Sequence, residues 1–135
     1  MTASTVKQRF TVTVLTRLIL LVTVFHLNGV LAADFKCKGE RIEKTGSIWG
    51  YARQSGADFR IEKGSSTIGW VKNAGDYWRV ETPAGATLAW LKEARIETPG
   101  GSTWVTLNAI EDLAECPIPV TAGLWVLIQV TRKNR

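Results

Sequence analysis

Histidine is almost missing from this chain. The 135 residues contain one, His26, and it lies in the N-terminal apolar segment. A Ser-His-Asp or Cys-His arrangement therefore has no base, and the commonest metal ligand is gone. Cysteine is nearly as scarce, with only Cys37 and Cys116. A pair without further ligands makes half a metal site at most, so no metal and no cofactor are expected. Runs of like charge are missing too, because Lys and Arg alternate with Glu, and the footprint of a nucleic-acid binder is absent. The Gly-rich "ETPGGSTW" lacks the Lys-Ser/Thr that a phosphate loop requires, and its counterpart "ETPAGATL" marks it as a repeated turn.

What is present begins with a leader. Lys7, Arg9 and Arg17 precede the run "LILLVTVFHLNGVLA", which ends in Val30-Leu31-Ala32-Ala33. A basic start, an apolar middle and small residues at the end predict a secretory signal peptide over residues 1–33, cleaved after Ala32 or Ala33. The alternative is an uncleaved anchor, but Asn28-Gly29 interrupts the run and leaves it short of the ~20 apolar residues a span needs. A periplasmic or secreted protein follows, with no membrane span after cleavage. Residues 34–135 form a single β-rich domain carrying fourteen basic and twelve acidic side chains. In an exported chain the isolated Cys37 and Cys116 predict one disulfide. By chain entropy it would stabilise the domain by roughly 4 kcal/mol.

The domain repeats itself. Arg41-Ile42-Glu43-Lys44 returns as Arg60-Ile61-Glu62-Lys63, then as Arg79-Val80-Glu81-Thr82 and Arg95-Ile96-Glu97-Thr98. Four units follow, at about 41–59, 60–78, 79–94 and 95–108. In each, the first segment alternates with period two, with Phe59 and Ile61, or Trp78 and Val80, facing inward. The second segments, "STIGWVK", "ATLAWLK" and "STWVTLN", are rich in Thr, Val and Trp as strands prefer. Gly64-Ser65-Ser66, Pro83-Ala84-Gly85-Ala86 and Pro99-Gly100-Gly101 read as hairpin turns. The expected fold is mainly β: an antiparallel meander of about eight strands in four hairpin-like repeats, rolled into a small barrel or sandwich. Arg and Glu share the polar face of each first strand, and neighbouring copies could form a cross-strand ladder of charges. In the second segments strict alternation puts Ile68 with Trp70, and Leu88 with Trp90, on one face.

After the meander the pattern changes over residues 108–131, where one or two short helices are expected. Asn108 with Glu111 reads as an N-cap followed by a helix to Cys116, which Pro117 and Pro119 stop. The run "VTAGLWVLIQV" reads as a second buried helix or as a strand, since periodicity cannot decide for so short a run; the helix is favoured, starting near Thr121 and capping the open end of the sheet, with Arg132–Arg135 frayed.

The phrase "DYWRVETPAGATLAWL" at residues 76–91 resembles the bacterial SH3-like domain. There a Trp-x-Val strand, a Thr-Pro-x-Gly turn and a Gly-Trp-Val/Leu strand follow one another; here Ala89 stands in place of the glycine. The matching positions are Trp78, Trp90 and the turn Pro83–Gly85. The resemblance implies a small β-barrel-like module that binds cell-wall peptides, glycans or protein partners without chemistry of its own.

Paired carboxylates could still serve a glycosidase. However, Glu43, Glu62, Glu81 and Glu97 are accounted for by the repeat, so no enzyme is expected. The tryptophans are the most distinctive feature. Trp49, Trp70, Trp78, Trp90 and Trp104 lie in the repeats and would fill a small core or leave a binding strip exposed. Trp78 fits the core. Trp70 and Trp90, with Tyr51 at the equivalent place in the first unit, are the candidate strip. The expected function is an exported, non-catalytic envelope binding module that engages cell-wall polymer or an envelope protein. The alternative is a small inhibitor or protective protein acting on an enzyme. Oligomeric state is left open.

Overall fold

A computed structural model describes residues 34–135 of the protein. The leader expected over residues 1–33 lies outside the described residues. The element order is β1 (Phe35–Lys38), β2 (Arg41–Lys44), β3 (Ser47–Ser55), β4 (Asp58–Lys63), β5 (Ser66–Asn73), β6 (Trp78–Glu81), β7 (Thr87–Lys92), β8 (Arg95–Glu97) and β9 (Thr103–Thr106). Helix α1 (Leu107–Ile110), a 3-10 turn (Glu111–Leu113), the two-residue β10 (Ala114–Glu115) and helix α2 (Ile118–Lys133) complete it.

The strands form one ten-stranded sheet in the order β10-β1-β2-β3-β4-β5-β6-β7-β8-β9. The fold is mainly β and a meander of hairpins, antiparallel except where β10 joins β1. The sheet is not closed into a barrel: β9 and β10 are its two edges. Both edges are short, which limits the row of unpaired backbone groups they present. The "TPAG" and "TPGG" turns close the hairpins β6–β7 and β8–β9, with Gly85 and Gly101 at φ of 95° and 90°. Those values suit glycine and cost other residues strain. The phrase "DYWRVETPAGATLAWL" is thus the hairpin β6–β7 and the turn that leads into it. The third repeat is shorter because the link after β7 shrinks to Glu93-Ala94, with Glu93 itself at φ 53°.

The C-terminal expectations need correction. The N-cap of α1 is Thr106, not Asn108, and no side chain caps it. The chain leaves helical geometry after Leu113, and Ala114-Glu115 becomes a strand beside β1. Helical spacing of Ile110, Leu113 and Ala114 arises because all three face the core from different elements. Helix α2 begins at Ile118, with Pro119 in its first turn where its missing N–H costs nothing. It runs through Arg132 and Lys133, which the frayed-tail expectation left out. It does not cap an open end; it lies across one face of the sheet, against β4, β5, β6 and β7.

The core sits between that face and α2. Ile42, Ile61, Val71, Val80, Ala89 and Ile96 of the sheet meet Val120, Leu124, Val126 and Leu127 of the helix. Each fully buried aliphatic side chain contributes about 1.5–3 kcal/mol. The approach is close. A Cβ on Gly69 would lie 2.7 Å from Leu127 Cδ2, and a Cβ on Gly123 would collide with Val71 Cγ2. Nearly every residue of α2 from Val120 to Leu127 is buried, so the segment has no polar stripe.

Cys37 and Cys116 form a disulfide. The parallel register Phe35↔Ala114 and Lys36↔Glu115 leads directly to it, since the next opposed pair is Cys37 and Cys116. Their Cα atoms are 5.0 Å apart, about one strand spacing. No helix among the described residues is long and apolar enough to cross a membrane.

Candidate functional site: an aromatic stripe on the outer face

Four bulges organise the sheet. Register slips between Ile42 and Glu43, Ile61 and Glu62, Val80 and Glu81, and Ile96 and Glu97, once in each repeat. The extra residue on the opposing strand is Trp49, Ile68, Leu88 or Trp104. An inserted residue breaks the period of two and sharpens the local twist. Trp49, Ile68 and Leu88 pack against the core. Trp104 stacks edge-on against Trp125 of α2, with ring centroids 5.0 Å apart. The expectation that Ile68 shares a face with Trp70, and Leu88 with Trp90, is therefore corrected. The bulge turns the aliphatic residue inward and leaves the tryptophan on the other side.

Tyr51, Trp70 and Trp90 are consequently brought together on the face opposite α2. All three are half-buried and none belongs to the core cluster. Trp78 faces the core, half-buried beside Phe59 at 6.0 Å. Trp49 meets Phe35 edge-on at 5.3 Å. The outer rings occupy β3, β5 and β7, with one strand between each pair. Cross-strand partners repeat with them: Arg41↔Tyr51↔Glu62, Arg60↔Trp70↔Glu81 and Arg79↔Trp90↔Glu97. Each ring thus stands between an arginine of the preceding strand and a glutamate of the next. In the fourth repeat Thr106 holds the place, opposite Arg95.

The ladder of charges differs from the expected one. Copies of the Arg-x-Glu phrase lie on β2, β4, β6 and β8, so an intervening strand keeps them apart. Pairing occurs within each copy instead. Arg95 Nε donates to Glu97 Oε2 at 2.7 Å, Arg79 Nε donates to Glu81, and Arg60 Nη2 donates to Glu62 Oε1 at 3.5 Å. Arg41 Nε lies 3.0 Å from Glu43 Oε2 without the alignment of a hydrogen bond. Arg53 adds a cross-strand bond to Glu62 at 3.1 Å, and Lys92 approaches Glu97 at 3.7 Å. Glu81 and Glu97 are each only 5% exposed, so guanidinium pairing is what makes their burial tolerable.

Cations also lie over the rings. The residue two places beyond each aromatic is basic and shares its face: Arg53 stands 4.2 Å from the Tyr51 centroid, Lys72 4.6 Å from Trp70 and Lys92 4.4 Å from Trp90. Tyr77 extends the last station, meeting Trp90 edge-on at 6.4 Å. Sequence reasoning passed over Tyr77 because the link that carries it is absent from the next repeat. By sheet dimensions the stations are two strands across and two residues along, roughly 12 Å apart. The arrangement offers aromatic surfaces at regular intervals, each bordered by part-exposed cationic donors. Among the described residues no group of three or more His, Cys, Asp or Glu could hold a metal ion. No protein-family model, curated protein or solved structure matches the chain.

Proposed function

We propose that the protein is an exported, non-catalytic binding module of the cell envelope that holds an extended wall polymer along its outer face. The observation that carries this reading is the recurrence of Tyr51, Trp70 and Trp90 at one repeat position on the side the helix leaves open. Sugar rings stack their C–H faces on aromatic side chains, and their hydroxyls need donors and acceptors at the rim. Each station supplies the ring and a part-exposed cationic donor, Arg53, Lys72 or Lys92, while the glutamates are held in ion pairs with the arginines. The spacing of the stations is comparable to the length of a disaccharide, so a linear glycan could meet one station per disaccharide. The resemblance of the "DYWRVETPAGATLAWL" phrase to the SH3-like domain implies a ligand among cell-wall peptides, glycans or protein partners, a range that includes this one.

Co-sedimentation of the purified protein with peptidoglycan sacculi tests the reading, with tryptophan emission followed in parallel. The expected result is pelleting with a shift in emission, lost in the Trp70→Ala/Trp90→Ala variant while its thermal midpoint stays within a few degrees. Wild-type protein left in the supernatant with unchanged emission would contradict the reading. Unfolding of the double variant would assign both rings to the fold and remove the strip.

A further inference from the structure

On the helix side of the sheet the charges are distributed differently. Nine of the fourteen basic side chains after residue 33 reach a carboxylate: Lys36, Lys38, Arg41, Arg53 and Arg60, then Lys72, Arg79, Lys92 and Arg95. Among the described residues Lys44, Lys63, Arg132, Lys133 and Arg135 reach none. Four of those five, all but Lys133, line a single cavity of about 570 Å³.

The cavity lies between the β2–β3 and β4–β5 hairpin ends and the second half of α2. One side of it is apolar, built from the bulge residues Trp49 and Ile68 and from Trp125, Leu127 and Ile128 of the helix, and the rest is polar, with Gln129 and Thr131 beside the charged side chains. Lys44 Nζ stands 5.5 Å from the Phe35 ring and Lys63 Nζ 5.2 Å from the Trp49 ring, so both ammonium groups are held at the wall. Asp34 is the one carboxylate among the lining side chains.

The helix dipole accounts for Arg132 at the end of α2. It does not account for two lysines from separate hairpins. Nor does the sheet require them, since Thr82 and Thr98 fill the same repeat position in the two units that do not line the cavity. Cations that meet no carboxylate among the described residues, set in a cleft with one apolar side, focus positive potential on whatever enters. The volume falls within the range of small-molecule sites, roughly 300–1,000 Å³.

We propose that this cavity binds a single-chain anionic amphiphile. The apolar chain lies between α2 and the bulge residues Trp49 and Ile68, and the carboxylate or phosphate head sits among Lys44, Lys63 and Arg132. The site is separate from the outer face, across the sheet from Trp70 and Trp90.

Titration calorimetry with sodium dodecanoate and with dodecyl phosphate, each below its micelle concentration, tests the proposal and tells the two head groups apart. At least one should bind saturably. Dodecanol and inorganic phosphate should each bind at least about tenfold more weakly, since each offers half of the recognition. Lys44→Gln/Lys63→Gln, at exposed positions, should raise the Kd by about tenfold or more, and Trp70→Ala/Trp90→Ala should leave it unchanged. Should the lysine variant fold poorly, Arg132→Gln carries the same test with a smaller loss. Three outcomes would overturn the proposal: no saturable heat with either amphiphile, equal affinity for dodecanol, or binding to phosphatidylglycerol vesicles alone.

Discussion

Ile68 and Trp70 stand two residues apart in β5, yet they lie on opposite sides of the sheet. Strict alternation cannot place them so; the slip between Ile61 and Glu62 does. The residue types announce it only in part: Gly50 and Gly69 follow the extra residue inside β3 and β5, where an interior glycine marks a bulge or a close approach, but Ala89 and Val105 stand at those places in the other two repeats. The candidate stripe was legible from the recurrence of Tyr51, Trp70 and Trp90, whereas their separation from the core depended on the bulge. That separation has a measurable consequence. Ile68→Ala should cost about 2–4 kcal/mol in a urea melt, as large-to-small core changes do. Trp70→Ala should cost about 1 kcal/mol or less, as surface changes do. Equal losses would put the indole in the core.

At the scale of elements, the hairpins could be read because period-two alternation and Pro-Gly turns speak together. The segment from Asn108 to Cys116 could not be. It changes from helix to 3-10 turn to strand within a few residues, and β10 is too short to show any period. Its geometry is set from outside, by pairing with β1 and by the disulfide one step further along the same register. Helix α2 was recognisable as buried, but its burial on nearly all sides concealed its period. The disulfide closes a loop of sequence separation 79 and ties β10 and the start of α2 to the first strand. Cys37→Ala/Cys116→Ala should therefore lower the unfolding free energy by about 4 kcal/mol. A loss below about 1 kcal/mol in a urea melt would show that the β1–β10 pairing holds without the bridge.

Across the whole molecule, one repeat serves two sides. Its alternate residues face α2 as aliphatic core and face outward as paired charges around aromatic rings. The four Arg-x-Glu phrases were evident in the sequence. Their pairing within a strand was not, because it depends on which strand the meander inserts between copies. The cavity was equally hidden: Lys44 and Lys63 read as repeat residues until two hairpins and a helix set them beside Arg132. On the proposed reading the three outer stations act as one strip for an extended glycan. Calorimetric titration with soluble wall-glycan fragments of increasing length tests it most directly. Affinity should climb with each added disaccharide until three stations are spanned and then level off, with Trp70→Ala flattening the climb. The same affinity for one disaccharide as for a long chain, or no binding at any length, would contradict it.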